Sequence, residues 1–464
     1  MRVRGWPSAP DSYDGVGFVE SVITFDIGAL KPHPPGYPLF VALCRLAHLF
    51  GLSPLHAVVA TSLVTGAIVL PVAAFVLVRR AFGGELGAFF AAFLLACAPG
   101  FVVAGAGTWS DGAGLAFAVA AYAMALGRRP ATPLYTGFLV AACIGVRPSG
   151  MMMVLPALLV VSHGTRLARH RARAVLEAIA ATALGIVAWA VPMVLHFGAA
   201  RWWELSHAQL SSHLARWGES DAAWTQGRSA PRAIAESISL QLFGVEGLDA
   251  SIAVGVALAV LLLVALRSAP NRRALLPLAA VLPYALLDAC YQPIAAAPRH
   301  ALPITAALVV SLGALIAAAE KEPRPRAHEP LPLLAIAALA IWIAFRGVAA
   351  ATTHALPPPA VAMLRFVAHE PSLANAAVVA GRSSRFAEYG DGARVAPGEL
   401  AGDAIIFATR ADVLPAPLLV TSEIDLTGVD PSRLTEVATF TRTSPLDRRE
   451  RTLTLYKLDI NLTP

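Results

Sequence analysis

The sequence predicts an all-α polytopic membrane bundle of about ten transmembrane helices, followed by a small C-terminal α/β domain on the extracytoplasmic side. Three observations predict this fold class. Hydrophobic residues make up 57% of the chain and charged residues only 14%, against about 25% charged in a soluble domain. Long segments without Asp, Glu, Lys or Arg recur through residues 1–350, whereas residues 351–464 contain short β-prone runs separated by Gly, Pro and Asp.

Most of the apolar segments are close to the roughly 17–25 residues that cross a bilayer. They cover 54–78, 86–106, 112–127, 132–146, 148–162, 178–198, 250–266, 274–287, 301–319 and 330–345. The shorter segments at 132–146 and 274–287 have a second interpretation, as re-entrant or interfacial helices.

Basic residues predict the orientation of the bundle, because short loops rich in Lys and Arg stay in the cytoplasm. Clusters of them occur in alternate loops, at Arg79-Arg80, Arg128-Arg129, Arg166–Arg173, Arg267–Arg273 and Lys321–Arg326. The segment 1–53, the loop 199–249 and the tail are then outside. The net charge of +6 therefore reflects topology, and no basic strip with interleaved aromatic residues predicts a nucleic-acid partner.

The N-terminal segment is expected outside although no apolar span precedes it. Met1-Arg2-Val3-Arg4 does not have the form of a signal peptide, since no apolar core follows its charges. We therefore expect an initial transmembrane helix to be encoded upstream of Met1.

The tail is expected to form a separate domain, 351–464, after a transmembrane catalytic domain, 1–350. Pro357-Pro358-Pro359 would act as a stiff spacer near their boundary. Five short runs are predicted as strands or strand-like segments: Ala376–Gly381, Asp403–Thr409, Pro417–Glu423, Leu434–Thr443 and Thr452–Leu458.

Several polar elements lie in the predicted outer segments. The first contains Asp14, then Phe18, Phe25-Asp26 and His33–Tyr37, and two later turns read Arg147-Pro148-Ser149-Gly150 and Arg299-His300-Ala301-Leu302-Pro303. With the order of the helices, these elements resemble the GT-C glycosyltransferases, most closely the bacterial members related to protein O-mannosyltransferases and lipid A aminoarabinose transferases. The resemblance covers about residues 11–350 and leaves the tail without an assignable motif.

The resemblance implies transfer of a sugar from a polyprenyl-phosphate carrier to a glycan, lipid or protein acceptor. The reaction would take place at the outer face of the bacterial cytoplasmic membrane. Asp14 matches the position of the family's catalytic carboxylate, so it is expected to act as a general base on the acceptor hydroxyl. Asp11 is a near neighbour that could substitute for it or assist it.

The departing lipid phosphate needs fixed cations, and the sugar needs polar and aromatic contacts. The residues expected to bind substrate are Lys31, His33, Tyr37, Asp111, Arg147, Arg299, His300, Trp202 and Trp203. Each type has a structural alternative. Asp111 could cap a helix, the arginines could anchor helix ends at the headgroups, and the tryptophans could belong to the interfacial belt.

No metal or other cofactor is expected to be required, although a divalent ion remains an alternative. Asp11 and Asp14 are spaced Asp-x-x-Asp, whereas relatives of this type that use a metal carry Asp-x-Asp. The four cysteines lack the CxxC spacing of a zinc site. The expected partners are the polyprenyl-phosphate sugar donor, an acceptor and membrane lipid.

Two other functional classes compete with a transferase. A transporter or flippase for a lipid-linked or small solute would place ionisable groups near the middle of the membrane, and Asp288 comes nearest to that position. An assembly protein could instead recruit a partner through its tail and carry a degenerate site.

Overall fold

A computed structural model of the 464-residue chain describes residues 6–127, 129–164, 168–217, 230–247, 273–291, 297–320, 331–373, 375–397, 418–424, 431–442 and 451–458, with a few isolated residues that include Leu446. Helices are numbered over these residues. The first group is α1 (Tyr13–Ile23), α2 (Pro38–Leu49), α3 (Pro54–Ser62), α4 (Leu70–Phe82), α5 (Glu85–Cys97), α6 (Pro99–Ala106), α7 (Asp111–Ala125) and α8 (Thr132–Val146). The second group is α9 (Met151–Val154), α10 (Ala157–Val160), α11 (Ala168–Phe197), α12 (Ala199–Trp217), α13 (Ala230–Phe243), α14 (Leu276–Tyr291), α15 (Leu302–Ala319), α16 (Leu331–His354) and α17 (Pro359–His369).

Fewer helices than predicted are long and apolar enough to cross a membrane. In the part of the chain that the structure describes there are four, Pro54–Phe82, His170–Phe197, Pro298–Ala319 and Ala337–His369. Glu85–Cys97 and Pro99–Ala106, bent by 60° at their junction, make a fifth if they form one span. The predicted number of about ten is therefore not confirmed, and the predicted span 250–266 lies outside the described residues.

Most of the difference comes from predicted segments that form shorter apolar helices, Asp111–Ala125, Thr132–Val146, Pro148–Val160 and Leu276–Cys290. Proline lacks an N–H and disfavours a helical conformation in the residue before it. Ala98, which precedes Pro99, is accordingly extended, and the chain bends there. Arg147, which precedes Pro148, is extended in the same way and ends α8. The break at Ala98 divides the predicted segment 86–106, and the break at Arg147 falls between the predicted segments 132–146 and 148–162.

The bundle helices pack through small residues. α8 packs against α7 and α11, α4 against α5 and α7, and α15 against α5. Gly137 allows α8 to approach α11 closely, because a Cβ there would lie 2.2 Å from the Ala178 carbonyl oxygen. Small residues at such interfaces are typical of helices that associate in lipid, where close backbone contact contributes much of the attraction.

The tail forms a five-stranded sheet from β1 (Ala377–Ala380), β2 (Arg394–Pro397), β3 (Leu418–Thr421), β4 (Leu434–Thr441) and β5 (Thr452–Leu458). The strand order is β2-β1-β3-β5-β4. β1 pairs parallel with β2 and β3, and β5 pairs antiparallel with β3 and β4. Four of the predicted strands are present, β2 was not predicted, and the run Asp403–Thr409 lies outside the described residues.

The start of the chain packs with the tail. The side chains of Ala9 and Val16 are buried in the hydrophobic cluster that α17 forms with the sheet. Phe18, on the same helix as Val16, belongs to a different cluster with α2 and α3. α1 is therefore held between the tail domain and the bundle, at the place where the predicted catalytic residues lie.

Candidate active site

α1 carries Asp14 into the site, and its N-terminus is fixed by a cap. The Ser12 hydroxyl accepts hydrogen bonds from the Gly15 amide at 3.1 Å and from the Trp109 indole N–H at 2.7 Å. Gly15 allows this approach, because a Cβ there would lie 2.1 Å from the Thr108 hydroxyl oxygen. Asp14 lies in the first turn of the helix, where the free amide groups favour a negative charge.

Asp14 is bound on one side and accessible on the other. Its Oδ2 accepts a hydrogen bond from Arg299 Nη2 at 2.5 Å, and its Oδ1 lies 4.0 Å from His33 Nε2. The Asp14 side chain is 27% exposed and the Arg299 side chain 9%. The pair joins a reachable carboxylate to a nearly buried guanidinium.

Arg299 is supported by three elements of the fold. It lies on the short turn Pro298–Ala301 that leads into α15. Gln241 on α13 holds the turn through a 2.5 Å hydrogen bond to the Pro298 carbonyl, and the Leu446 carbonyl in the β4–β5 connection accepts a 3.0 Å bond from the Arg299 amide. The guanidinium carbon lies 5.5 Å from the centre of the Trp109 ring, a distance that fits a cation–π contact.

Arg147 forms the second charged pair. Its Nη2 lies 2.9 Å from Asp111 Oδ1, and its Nη1 lies 3.4 Å from the Ser110 hydroxyl. The structural alternative for Asp111 was that it caps a helix. Instead, Ser110 occupies the cap position of α7, and its side chain makes no cap hydrogen bond. Asp111 is the first residue of the helix itself and pairs with Arg147.

The turn 32–38 places two aromatic rings beside these pairs. His33 and Tyr37 stack edge to face with ring centres 4.8 Å apart. Tyr37 has a left-handed backbone with φ 48°, which is uncommon for a residue with a side chain. Burial raises the pKa of the Tyr37 hydroxyl to about 12, while the charge of Arg147 lowers it and the nearby carboxylates of Asp14 and Asp111 raise it. The hydroxyl therefore stays protonated at neutral pH and can donate a hydrogen bond.

Asp11 lies in a different environment. Its side chain has no exposure, and its Oδ2 accepts a 2.7 Å bond from the Thr108 amide. Its Oδ1 lies 3.1 Å from His354 Nε2 and 3.9 Å from Arg442 Nη1. Burial by itself would raise the pKa of Asp11, but the His354 and Arg442 charges outweigh it and leave that pKa below its ordinary value. We call Asp11, Thr108, His354 and Arg442 the junction cluster.

The other residues expected to bind substrate have mixed positions. Lys31 Nζ lies 4.0 Å from Glu20, a partner outside the two arginine pairs. His300 is half-buried and follows Arg299 on the same turn. The Trp202 indole N–H donates a 3.1 Å bond to the Pro35 carbonyl, so Trp202 supports the turn 32–38. Trp203 is 72% exposed and points to another side of α12.

Sequence reasoning missed two residues of this region, Trp109 and Arg442. Trp109 lies two positions before Asp111, and an aromatic residue this close to a candidate site residue was a usable signal. Arg442 lies in the tail, where no pattern indicated a role. Asp288 is 1% exposed, and neither of its carboxylate oxygens has a hydrogen-bond partner among the described residues.

No described residues form a group of three or more His, Cys, Asp or Glu side chains that could hold a metal ion. The charged groups described above instead form arginine–carboxylate pairs. Two guanidinium groups, a phenol and a histidine close to a reachable carboxylate can bind an anion and accept a proton.

Comparisons with known proteins give matches to solved structures only. No family model matches the chain, and no curated protein sequence matches it significantly. ArnT from Cupriavidus metallidurans bound to undecaprenyl phosphate matches with a TM-score of 0.55 and 12% identity, over 98% of this chain and 95% of that one. The apo form of the same protein matches with a TM-score of 0.50 and 15% identity, over 100% and 96%. Identities this low establish the fold alone, and the chain therefore has the GT-C fold.

Proposed function

We propose that this chain is a membrane-embedded glycosyltransferase that moves a sugar from a polyprenyl-phosphate carrier to an acceptor at the outer face of the cytoplasmic membrane. The observation that carries the proposal is the Asp14–Arg299 pair at 2.5 Å, which joins a reachable carboxylate to a buried cation. The fold shared with ArnT, a protein solved with undecaprenyl phosphate, supports the same class of donor.

The donor phosphate binds between the two arginine pairs. Arginine is suited to this role because its planar guanidinium forms paired hydrogen bonds with phosphate oxygens. Tyr37 stacks on His33, which lies 4.0 Å from Asp14, so its hydroxyl can donate a further hydrogen bond in this region. Asp111 keeps Arg147 oriented, whereas Arg299 exchanges the Asp14 carboxylate for the phosphate.

This exchange prepares the chemical step. Once Arg299 binds phosphate, the Asp14 carboxylate can accept the proton of the acceptor hydroxyl. The hydroxyl oxygen forms a bond to the anomeric carbon while the bond from that carbon to the phosphate oxygen breaks. The polyprenyl phosphate leaves with the electron pair, Arg299 and Arg147 stabilise its charge, and the sugar inverts its anomeric configuration.

An apolar groove near the site accommodates part of the lipid tail. It has a volume of about 170 Å³ and is lined by α4, α7, α14 and α15 together with the segment after Pro148. Leu115 and Pro303 are part of its lining, and each lies four residues after a charged site residue, Asp111 and Arg299. The groove thus begins about one helical turn below the proposed phosphate position.

The direct test is a transfer assay on the purified chain in lipid nanodiscs with a polyprenyl-phosphate-linked sugar. Release of polyprenyl phosphate is measured for the wild type, Asp14→Asn and Asp26→Asn. Asp26 is a matched control, because its carboxylate lies in the same segment but accepts local bonds from the Gly28 and Ala29 amides. We expect Asp14→Asn to lose at least about a hundredfold in rate and Asp26→Asn to keep it. Equal rates would refute the role of Asp14.

A transporter remains the second candidate because of Asp288. A buried carboxylate within an apolar helix and without a hydrogen-bond partner is typical of an ion or solute pathway. If the chain is a transporter, Asp288→Asn will abolish uptake or flipping of the lipid-linked sugar in sealed vesicles, and Asp14→Asn will leave it unchanged. If it is a transferase, Asp14→Asn alone will abolish formation of the glycosylated product.

A further inference from the structure

α12 carries two exposed apolar side chains, Trp203 and Leu210, on one side. The preceding helix, α11, belongs to a candidate membrane span that is only 22% buried. Its exposed side chains form a stripe at helical spacing, made up of Leu184, Val187, Val191 and Leu195. Gly198, with φ +77°, ends this helix, and α12 starts at the next residue. α12 therefore begins where the exposed apolar stripe of a candidate membrane span ends.

α12 has three different sides. Adjacent residues of a helix are separated by about 100° around its axis. Trp202, Leu205 and Ser206 lie on one side and are half-buried. Trp203 and Leu210, which share a second side, are both exposed, and Arg201 and Glu204, on the third side, are exposed and charged.

The buried side of α12 supports the active-site segment. Trp202 donates its indole N–H to the Pro35 carbonyl on the turn that carries His33 and Tyr37. A Cβ at Gly28 would lie 3.8 Å from a methyl carbon of Leu205, so Leu205 also lies against the first outer segment. Through these two contacts, a shift of α12 would also shift the first outer segment, including the turn 32–38.

We propose that α12 lies in the lipid–water interface, with Trp203 and Leu210 inserted among the lipids, and that it supports the turn 32–38 from the membrane surface. We infer that lipid covers the apolar side of α12, because α12 directly follows the exposed apolar stripe of α11, which belongs to a candidate membrane span. Tryptophan is the residue that bilayer interfaces favour, and the charged side with Arg201 and Glu204 would remain in water. This proposal concerns the position of α12 and does not depend on the transferase reaction.

The test measures, residue by residue, which sides of α12 contact lipid. In the full chain with Cys290→Ser, which removes an exposed thiol, a single nitroxide label is attached after Trp203→Cys, Leu210→Cys, Glu204→Cys or Ser211→Cys. Leu210 and Ser211 form a matched pair, since they are adjacent and both exposed. Power-saturation spectroscopy in nanodiscs compares oxygen, which concentrates in lipid, with a water-soluble nickel chelate.

We expect the labels at 203 and 210 to be relaxed more by oxygen and the labels at 204 and 211 more by the nickel chelate. Two results would overturn the proposal. Equal access of the nickel chelate to all four positions would place the apolar side in water. Protection of 203 and 210 from both reagents would show that protein, such as a second copy of the chain, covers this side instead of lipid.

Discussion

Asp11 and Asp14 are three residues apart, yet the structure places them in opposite surroundings. Asp11 has no exposed surface and is enclosed by Thr108, His354 and Arg442. Asp14 is 27% exposed, pairs with Arg299 at 2.5 Å and lies 4.0 Å from His33. A carboxylate without exposed surface cannot reach a substrate, whereas a partly exposed one can accept a proton from it.

The two sites are also connected. Asp11 binds Thr108, and the next residue, Trp109, lies beneath the Arg299 guanidinium. The β4–β5 connection contacts both sites, since Arg442 donates a 3.1 Å bond to the Asp11 carbonyl and Leu446 accepts one from the Arg299 amide. The tail domain thus helps to position the candidate active site, and we interpret the junction cluster as the support of that site.

Removing a cation from the junction cluster should have the largest effect on stability. Arg442→Ala leaves Asp11 with fewer partners in a buried place, which typically costs about 3–5 kcal/mol. We expect a lower unfolding temperature in detergent micelles, measured by differential scanning calorimetry. Arg394→Ala, which changes an exposed arginine on β2, serves as the control. An equal and small loss in both variants would mean that the junction cluster does not support the fold.

A change at the Asp14–Arg299 pair should mainly lower the affinity for the lipid phosphate. Arg299→Gln keeps a polar side chain but removes the charge, so affinity for undecaprenyl phosphate should fall by about 1.5–3 kcal/mol, roughly tenfold to a hundredfold. Microscale thermophoresis in nanodiscs measures this change. Arg79→Gln alters an arginine that pairs with Glu85 in an exposed position, and it should bind normally. Unchanged affinity in Arg299→Gln would remove Arg299 from the phosphate site.

Crowding the junction cluster should have an intermediate effect. A Cβ at Gly107 would lie 2.6 Å from Asp11 Oδ2, so Gly107→Ala should destabilise the chain by about 1–3 kcal/mol. In an Asp11→Ala background the same substitution should cost less, because the crowded oxygen is gone. Chemical denaturation of the four variants gives the coupling. Additive losses would show that Gly107 acts independently of Asp11.

Acid should weaken the junction cluster by a smaller amount. The pKa of folded Asp11 lies below its ordinary value of 3.8, so its ionised form stabilises the fold above that value. This contribution is lost as pH falls through the lower pKa of the folded state. The difference in unfolding temperature between the wild type and Asp11→Asn should therefore shrink as the pH falls below about 4. A difference that grows as pH falls would contradict this sign.

The sequence predicted those features that depend on local pattern. Apolar length indicated a membrane bundle, and short β-prone runs indicated four of the five described strands. The resemblance assigned Asp14, Arg147 and Arg299 to one predicted site, and in the structure Asp14 pairs with Arg299. The number of spans failed because apolar length does not report a bend such as the 60° junction at Ala98.

Long-range pairing explains what was missed. The residues of the Asp11–Arg442 contact are separated by 431 positions, and no periodicity reports such a pair. The expectation that Asp11 could substitute for Asp14 or assist it has the same origin. Asp11 and Asp14 have the same chemistry and similar neighbours in sequence, and only tertiary burial separates an enclosed carboxylate from a reachable one.

The most direct test of this account compares Asp14→Asn with Asp11→Asn in two assays, sugar transfer from a polyprenyl-phosphate donor and thermal unfolding. We predict that Asp14→Asn loses transfer by at least about a hundredfold and unfolds at nearly the wild-type temperature. Asp11→Asn should unfold at a temperature lower by several degrees, roughly 2–4 °C per kcal/mol lost, and keep transfer while it remains folded. Full transfer by Asp14→Asn, or loss of transfer by a stably folded Asp11→Asn, would contradict the account.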